Sequence, residues 1–206
     1  MKQLFDALEK KLVYNPEPSY VPGIILPFAS YKNPDAEPVE RGRAVLNVED
    51  NAFHISAVLE DSDIFNTAKQ NNEKTWITGD VLEFFIQPVG RKDYYELHVT
   101  PEQITLQLHI PVTERTRKIE FEDCICNIGL IGKVRKDVPA NRWTAEMIVP
   151  FSGIGVTGKE LDGSRFAICR YNYNKKWEEP EISSTRFFPK GTFHCPPEWH
   201  VLVYQK

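Results

Sequence analysis

Long apolar runs are missing from this sequence, and nothing approaches the ~20 consecutive residues that a membrane-spanning helix needs. Positive charge is not in excess either. Lys and Arg number 25 against 29 Asp and Glu, for a formal net charge of −4. The basic pair Lys175-Lys176 is too short to count, so the chain carries no electrostatic footprint for nucleic acid. Cysteine is sparse, at positions 124, 126, 169 and 195. Cys124 and Cys126 stand two apart on one strand face with no second pair at ligand spacing. That excludes a disulfide framework and a cysteine zinc site, and leaves small hydrophobes in a reduced compartment. Methionine is rarer still. Met147 falls in phase with Trp143 on an apolar strand face and Met1 is terminal, so a methionine–histidine axial pair for haem is not on offer. The opening residues from Met1 to Leu12 are charged and amphipathic rather than a signal peptide. A cytoplasmic location is expected, or a secreted one if a leader has been removed. Internal repeats and low-complexity tracts are absent, and helical periodicity is almost absent after residue 12.

What is present begins with proline. Pro16, Pro18, Pro22, Pro27, Pro34 and Pro38 punctuate one passage, and proline fixes φ and removes a donor. The passage reads as extended coil wrapped along the outside of the fold, with one edge strand at Gly23–Leu26. Before it, Leu4, Phe5, Leu8 and Leu12 share one side of an expected short helix over Lys2–Leu12. From Ala44 the pattern changes to short alternating strands. Phe53, Ile55, Ala57 and Leu59 alternate with His54, Ser56 and Val58. Ile104, Leu106, Leu108 and Ile110 alternate with Thr105, Gln107 and His109. Further strands are read at Trp143–Val149, stopping at Pro150, and at Val201–Tyr204. Short alternating strands between turn signals predict an all-β, antiparallel β-sandwich, jelly-roll or immunoglobulin-like. Residues 1–43 are expected to be an extension packed on a sandwich of residues 44–206, a single domain overall.

The segment from Thr75 to Pro88 is the most informative. It sets Trp76 in a polar loop just before a strand on which Leu82, Phe84 and Ile86 face one way and Glu83, Phe85 and Gln87 the other. A carboxylate in mid-strand among aromatics is costly to bury without a partner. The next strand aligns Tyr94, Glu96 and His98 on one face, and a later one brings Arg170 and Asn172 into phase. If these patches share a sheet face they form a polar floor under an aromatic rim, with Glu83 ionised beside Arg170 and accepting hydroxyl bonds. The bland alternative is a buried charge network of structural purpose built from Glu83, Glu96 and Arg170. Trp143 and Trp199 read as core, whereas Trp177, among Asn174, Lys175, Lys176, Glu178 and Glu179, reads as a rim residue or a lid over the core edge. Asp61, Asp63 and Asn66 have oxygen ligands at a spacing that suits calcium as a structural ion, against the plainer reading of a solvated turn. No other cofactor is expected.

Four blocks carry a resemblance to a known family. Val58–Asp63 looks like a strand ending in an Asp-containing turn. Trp76–Gln87, followed by Tyr94–Val99, is similar to a Trp-x-x-Asp-x-Val-Glu-x-Phe-Ile core. Arg142–Phe151 resembles a Trp-x-Ala-Glu-x-x-Ile-Pro strand, and Phe193–Leu202 a closing Phe-His-x-Pro-x-x-Phe-Gly-x-Leu. In this order, over roughly residues 44 to 206, they resemble carbohydrate-binding module family 9 and the wider DOMON-like β-sandwiches. The resemblance implies non-catalytic binding of a mono- or oligosaccharide chain end between two aromatic rings, without nucleic acid or membrane, in the service of an associated glycan-processing enzyme. Carried over, Trp76 is the first wall and Glu83 the hydroxyl acceptor. Phe193 is the second wall, with Trp177 a nearby candidate, and His194 in the closing motif donates to a ligand hydroxyl. Some members bind calcium, which adds to the reading of Asp61 and Asp63. The chain differs from the family by one extra residue between Trp76 and Asp80, by Trp199-His200 in place of Phe-Gly, and by Lys190-Gly191-Thr192 in place of an amide-bearing loop. The alternative activity is a glycoside hydrolase using Glu83 and Glu96 as its carboxyl pair.

Overall fold

Strands form wherever the sequence alternates, in the order β1 (Lys11–Tyr14), β2 (Ile24–Pro27), β3 (Ala29–Ser30), β4 (Gly42–Glu49), β5 (Ala52–Glu60), β6 (Val81–Gln87), β7 (Tyr94–Val99), β8 (Thr105–Ile110), β9 (Ile131–Asp137), β10 (Arg142–Pro150), β11 (Arg165–Asn172), β12 (Glu181–Ser184) and β13 (His200–Tyr204). The computed structural model describes residues 11–14, 24–111 and 119–204. The strands sort into two sheets. The first has the order β1-β13-β11-β6-β7-β8, with β12 and then β3 branching from β11; the second has the order β2-β4-β5-β10-β9. Neighbours are antiparallel throughout except for β1, which runs parallel to β13. This is the expected β-sandwich.

Period-two alternation decides what the sandwich buries. Phe53, Ile55, Ala57 and Leu59 of β5, with Trp143, Ala145, Met147 and Val149 of β10, pack against Leu82, Phe84 and Ile86 of β6 and Leu97 and Val99 of β7. Each fully buried large side chain contributes about 1.5–3 kcal/mol. Trp143 is wholly buried, as expected, and its Nε1 donates to Asp61 Oδ2 at 3.1 Å. Trp199 is also wholly buried, but in a smaller cluster on the outer face of the first sheet. Among the described residues no helix is long and apolar enough to cross a membrane.

The edge strand appears as β2, at the end of its sheet, where Pro27 is tolerated. The helix over Lys2–Leu12 lies mostly outside the described residues, but Lys11 and Leu12 belong to β1. There the edge of β13 offers a row of backbone partners, which outweighs a helical end. Because β2 joins one sheet and β3 the other, the passage links the two sheets as it crosses the fold.

Arg170 and Asn172 face the interior, not the polar sheet face on which their alternation predicts them. Arg170 is opposite Leu82 in the register of β11 and β6, so it shares the phase of Phe166 and Ile168. Its guanidinium donates to the backbone oxygens of Glu40 (3.0 Å) and Glu60 (2.6 Å) and to Asn172 Oδ1 (2.7 Å), and lies 3.6 Å from Asp61 Oδ2. Asn172 Nδ2 donates to Glu40 Oε2 at 2.7 Å. The pair ties the β4 and β5 approaches to β11 from within.

Candidate functional site

The outer face of the first sheet, away from the second sheet, carries the remaining polar groups. Register sets Glu83 of β6 opposite His98 of β7, and Phe85 opposite Glu96. On the flank toward β11, Cys169 and Ala167 lie opposite Glu83 and Phe85; on the flank toward β8, Leu108 lies opposite Glu96. Connecting segments cover this face instead of a sheet. Trp76 arrives in a 3₁₀ turn (Thr75–Ile77), Phe121 in a single-turn helix (Phe121–Cys124), Tyr31 from the proline-rich passage, and Gly191–His194 from the closing motif. Together they enclose a cavity of about 320 Å³.

The aromatic side chains form two walls. Over β8, half-buried Trp76 packs with Leu106, Leu108 and Cys124, its ring 5.8 Å from Phe121 and edge-on to His98 at 6.0 Å. Over β11 and β6, Phe193 is held among Tyr31 (5.4 Å), Tyr171 (5.8 Å), Phe188 (5.3 Å) and Phe85 (6.1 Å), mostly edge-to-face. Trp199 Nε1 donates to the Phe193 carbonyl at 2.8 Å, which fixes that wall to the start of β13. Such rings bring large contact area at defined orientation.

Between the walls lies the acidic floor. His98 Nε2 is 3.0 Å from Glu96 Oε1 and 3.3 Å from Glu83 Oε1, while His98 Nδ1 is 2.8 Å from Thr75 Oγ1. Burial pushes Glu83 up to about 8; the His98 charge opposes this and the Glu96 charge adds to it. Glu96 is driven up by burial as well, but the hydrogen bond and charge of His98 outweigh that and hold it below its ordinary value. Burial disfavours the His98 charge, yet Glu83 and Glu96 together raise its pKa. At neutral pH Glu83 therefore favours its protonated form and Glu96 its ionised form, and His98 is more basic than a free imidazole. His194 stands at the mouth, its Nδ1 2.7 Å from Tyr94 Oη and 3.9 Å from Glu96 Oε2.

The fold thus brings together Trp76, Glu83, Glu96, His98, Phe193 and His194. It does not bring Arg170, Asn172 or Trp177 to them: the first two point inward, and Trp177 sits in a loop outside the cavity lining. Glu83 consequently has His98, not Arg170, as its partner. Asp61 and Asp63 lie elsewhere, with their oxygens taken by protein donors. Asp61 accepts from Trp143 Nε1 and the Asp63 N–H, and Asp63 accepts from the Lys175 N–H (2.9 Å) and Nζ (2.8 Å). Asn66 Oδ1 accepts from the Ala68 N–H and Thr78 Oγ1. Lys175 provides the positive charge a calcium ion would bring to Asp63. Tyr31, Phe85, Tyr171 and Phe121 also line the cavity, beyond the binding residues expected from the sequence. Phe85 and Tyr171 were accessible through strand phase; Tyr31 and Phe121 come from segments without periodicity.

Three solved structures share this architecture. A provisionally assigned carbohydrate-binding protein from Bacteroides uniformis superposes with a TM-score of 0.68 at 17% identity, over 95% of this chain and 99% of that one. A family 9 carbohydrate-binding module from Caldicellulosiruptor kristjanssonii, in complex with glucose, gives 0.63 at 10% identity over 95% of each chain. The fold is that of the family 9 carbohydrate-binding modules. The same kind of module in complex with cellotriose gives 0.61 at 11% identity, over 95% of this chain and 92% of that one. No protein-family model matches the sequence, and neither does any curated protein. The family 9 likeness is therefore one of fold, carried by the sandwich and not by sequence identity.

Proposed function

We propose that the chain binds a saccharide without transforming it, in the cavity between the Trp76 and Phe193 walls. The observation that carries this reading is the convergence of aromatic rings from four separate segments over the buried pair Glu83 and Glu96. A pyranose offers apolar C–H faces to rings and hydroxyls to a polar floor, and this cavity offers both surfaces. Its volume of about 320 Å³ stands at the low end of small-ligand sites, which suits one sugar residue at a chain end. The structural neighbours solved with glucose and cellotriose support the same ligand class.

The floor favours binding over hydrolysis. A glycosidase sets its two carboxyls on either side of the scissile bond. Here Glu83 and Glu96 sit on adjacent strands and turn their oxygens to one imidazole. Calorimetry against glucose, cellobiose and cellotriose, paired with aryl-glycoside hydrolysis across acid to neutral pH, tests the reading. The expected result is saccharide binding, no turnover, and loss of binding in Trp76→Ala. Because Trp76 is half-buried, that variant should lose less stability than the about 3–5 kcal/mol of a fully buried aromatic. Turnover that disappears in Glu83→Gln and Glu96→Gln would replace this reading with the hydrolase.

A further inference from the structure

Two carboxylates and one imidazole are buried together on the cavity floor, and their ligand atoms all lie within 4.8 Å of one another. The separations from His98 Nε2 are 3.0 Å to Glu96 Oε1 and 3.3 Å to Glu83 Oε1. Atoms bound tetrahedrally to one zinc ion, at about 2.0–2.2 Å, lie roughly 3.3 Å apart. Both His98 separations come close to that spacing.

Three observations point beyond an internal hydrogen-bonded cluster. Glu83 is 2% exposed and accepts no hydrogen bond from any described residue; its polar neighbour is His98 Nε2, which already serves Glu96 at the shorter distance. Once ionised, a buried carboxylate in that position has to share its one charged neighbour with Glu96. Thr75 Oγ1, outside the cluster, holds His98 Nδ1 at 2.8 Å. A hydroxyl there can accept from Nδ1–H, so that Nε2 would be the ring atom to give up its proton and meet a metal ion. Finally, among the described residues no lysine or arginine lines the cavity, so the two carboxyls have only the imidazoles of His98 and His194 beside them.

We propose that Glu83, Glu96 and His98 bind a divalent cation of the zinc class, with an open coordination position toward the cavity. A mixed imidazole and carboxylate set suits zinc, whereas calcium takes six to eight oxygens. Three protein ligands leave a position for water or a ligand hydroxyl. The site uses the same Glu83 and Glu96 that floor the proposed saccharide cavity, but it does not require the ligand there to be a sugar.

The test titrates zinc chloride into chelator-treated protein by calorimetry, with calcium chloride as comparison and cobalt absorption as a spectroscopic check. One equivalent of zinc is expected, with calcium far weaker, a higher melting temperature in zinc, and a cobalt spectrum free of thiolate charge transfer. Glu83→Gln preserves size and should weaken zinc at least about tenfold, and Thr75→Val should cost about 10- to 100-fold through the outer partner. Absence of zinc uptake by the folded wild type overturns the proposal. So does uptake undiminished in Glu83→Gln and Glu96→Gln, or a thiolate band that puts the metal on cysteine. Glucose titration of the chelator-treated chain runs in parallel: sugar bound with no zinc taken up overturns the metal site alone.

Discussion

Glu83 shares the imidazole of His98 with Glu96 and has almost no access to water. Its pKa lies at about 8, above the ordinary 4.5, chiefly through burial. A carboxyl raised in this way stabilises the fold fully below its unfolded pKa, and that contribution is lost as pH rises through the folded value. Metal-free protein should therefore melt at progressively lower temperature from about pH 5 to pH 8, and Glu83→Gln should flatten part of that slope. Thermal scans of both proteins in chelator check it. Arg170 makes the opposite case. The sequence put it on the site because it closes an alternation with Asn172. The same period of two couples it to Phe166 and Ile168, whose bulk assigns that face to the core. Arg170→Met removes a buried cation from Asp61 and Asn172, which should cost about 3–5 kcal/mol in chemical denaturation. Saccharide affinity of the folded fraction should stay unchanged; a loss of affinity out of proportion to unfolding would return Arg170 to the site.

Strands were the most legible elements. The faces of β5, β6, β7 and β10 follow from alternation alone, and they fix both the core and the acidic floor. β9 escaped because Val134 is its one apolar side chain on the core face, among Lys133, Arg135 and Lys136, and charge of this kind is what an open sheet edge carries to deter further pairing. Local pattern also could not show how the walls assemble, since Tyr31 and Phe193 meet across most of the sequence. The segment before β6 holds one device of its own. Gly79 adopts φ +145°, and a Cβ there would stand 2.4 Å from the Phe65 carbonyl oxygen. That close approach lets the turn carrying Trp76 fold back on Phe65 and Asn66, where Asp80 Oδ2 accepts the Phe65 N–H at 2.7 Å. Gly79→Ala should cost at least about 1–3 kcal/mol from backbone strain. It should also weaken saccharide binding by displacing Trp76, although residue 79 lines no part of the cavity. Calorimetry and denaturant melts on one preparation check both effects.

At the scale of the whole molecule, both sheets contribute to one core, and the linked β2 and β3 hold the 24–43 passage to it. Unfolding should accordingly be a single transition, with near-ultraviolet and far-ultraviolet circular dichroism superimposable; a separate early step would divide the first 43 residues from the sandwich. The cavity occupies the face that the second sheet does not touch, so the machinery of stability and the groups that meet a ligand are largely segregated. The same segregation separates the tryptophans. Trp143 and Trp199 are sealed from solvent, Trp177 is outside the cavity lining, and Trp76 alone of the four lines it, edge-on to the His98 imidazole. A charged imidazole quenches a neighbouring indole. The chain thus carries its own optical reporter: whatever enters the cavity or changes the charge on His98 changes the emission of one ring against three steady ones, with no label attached.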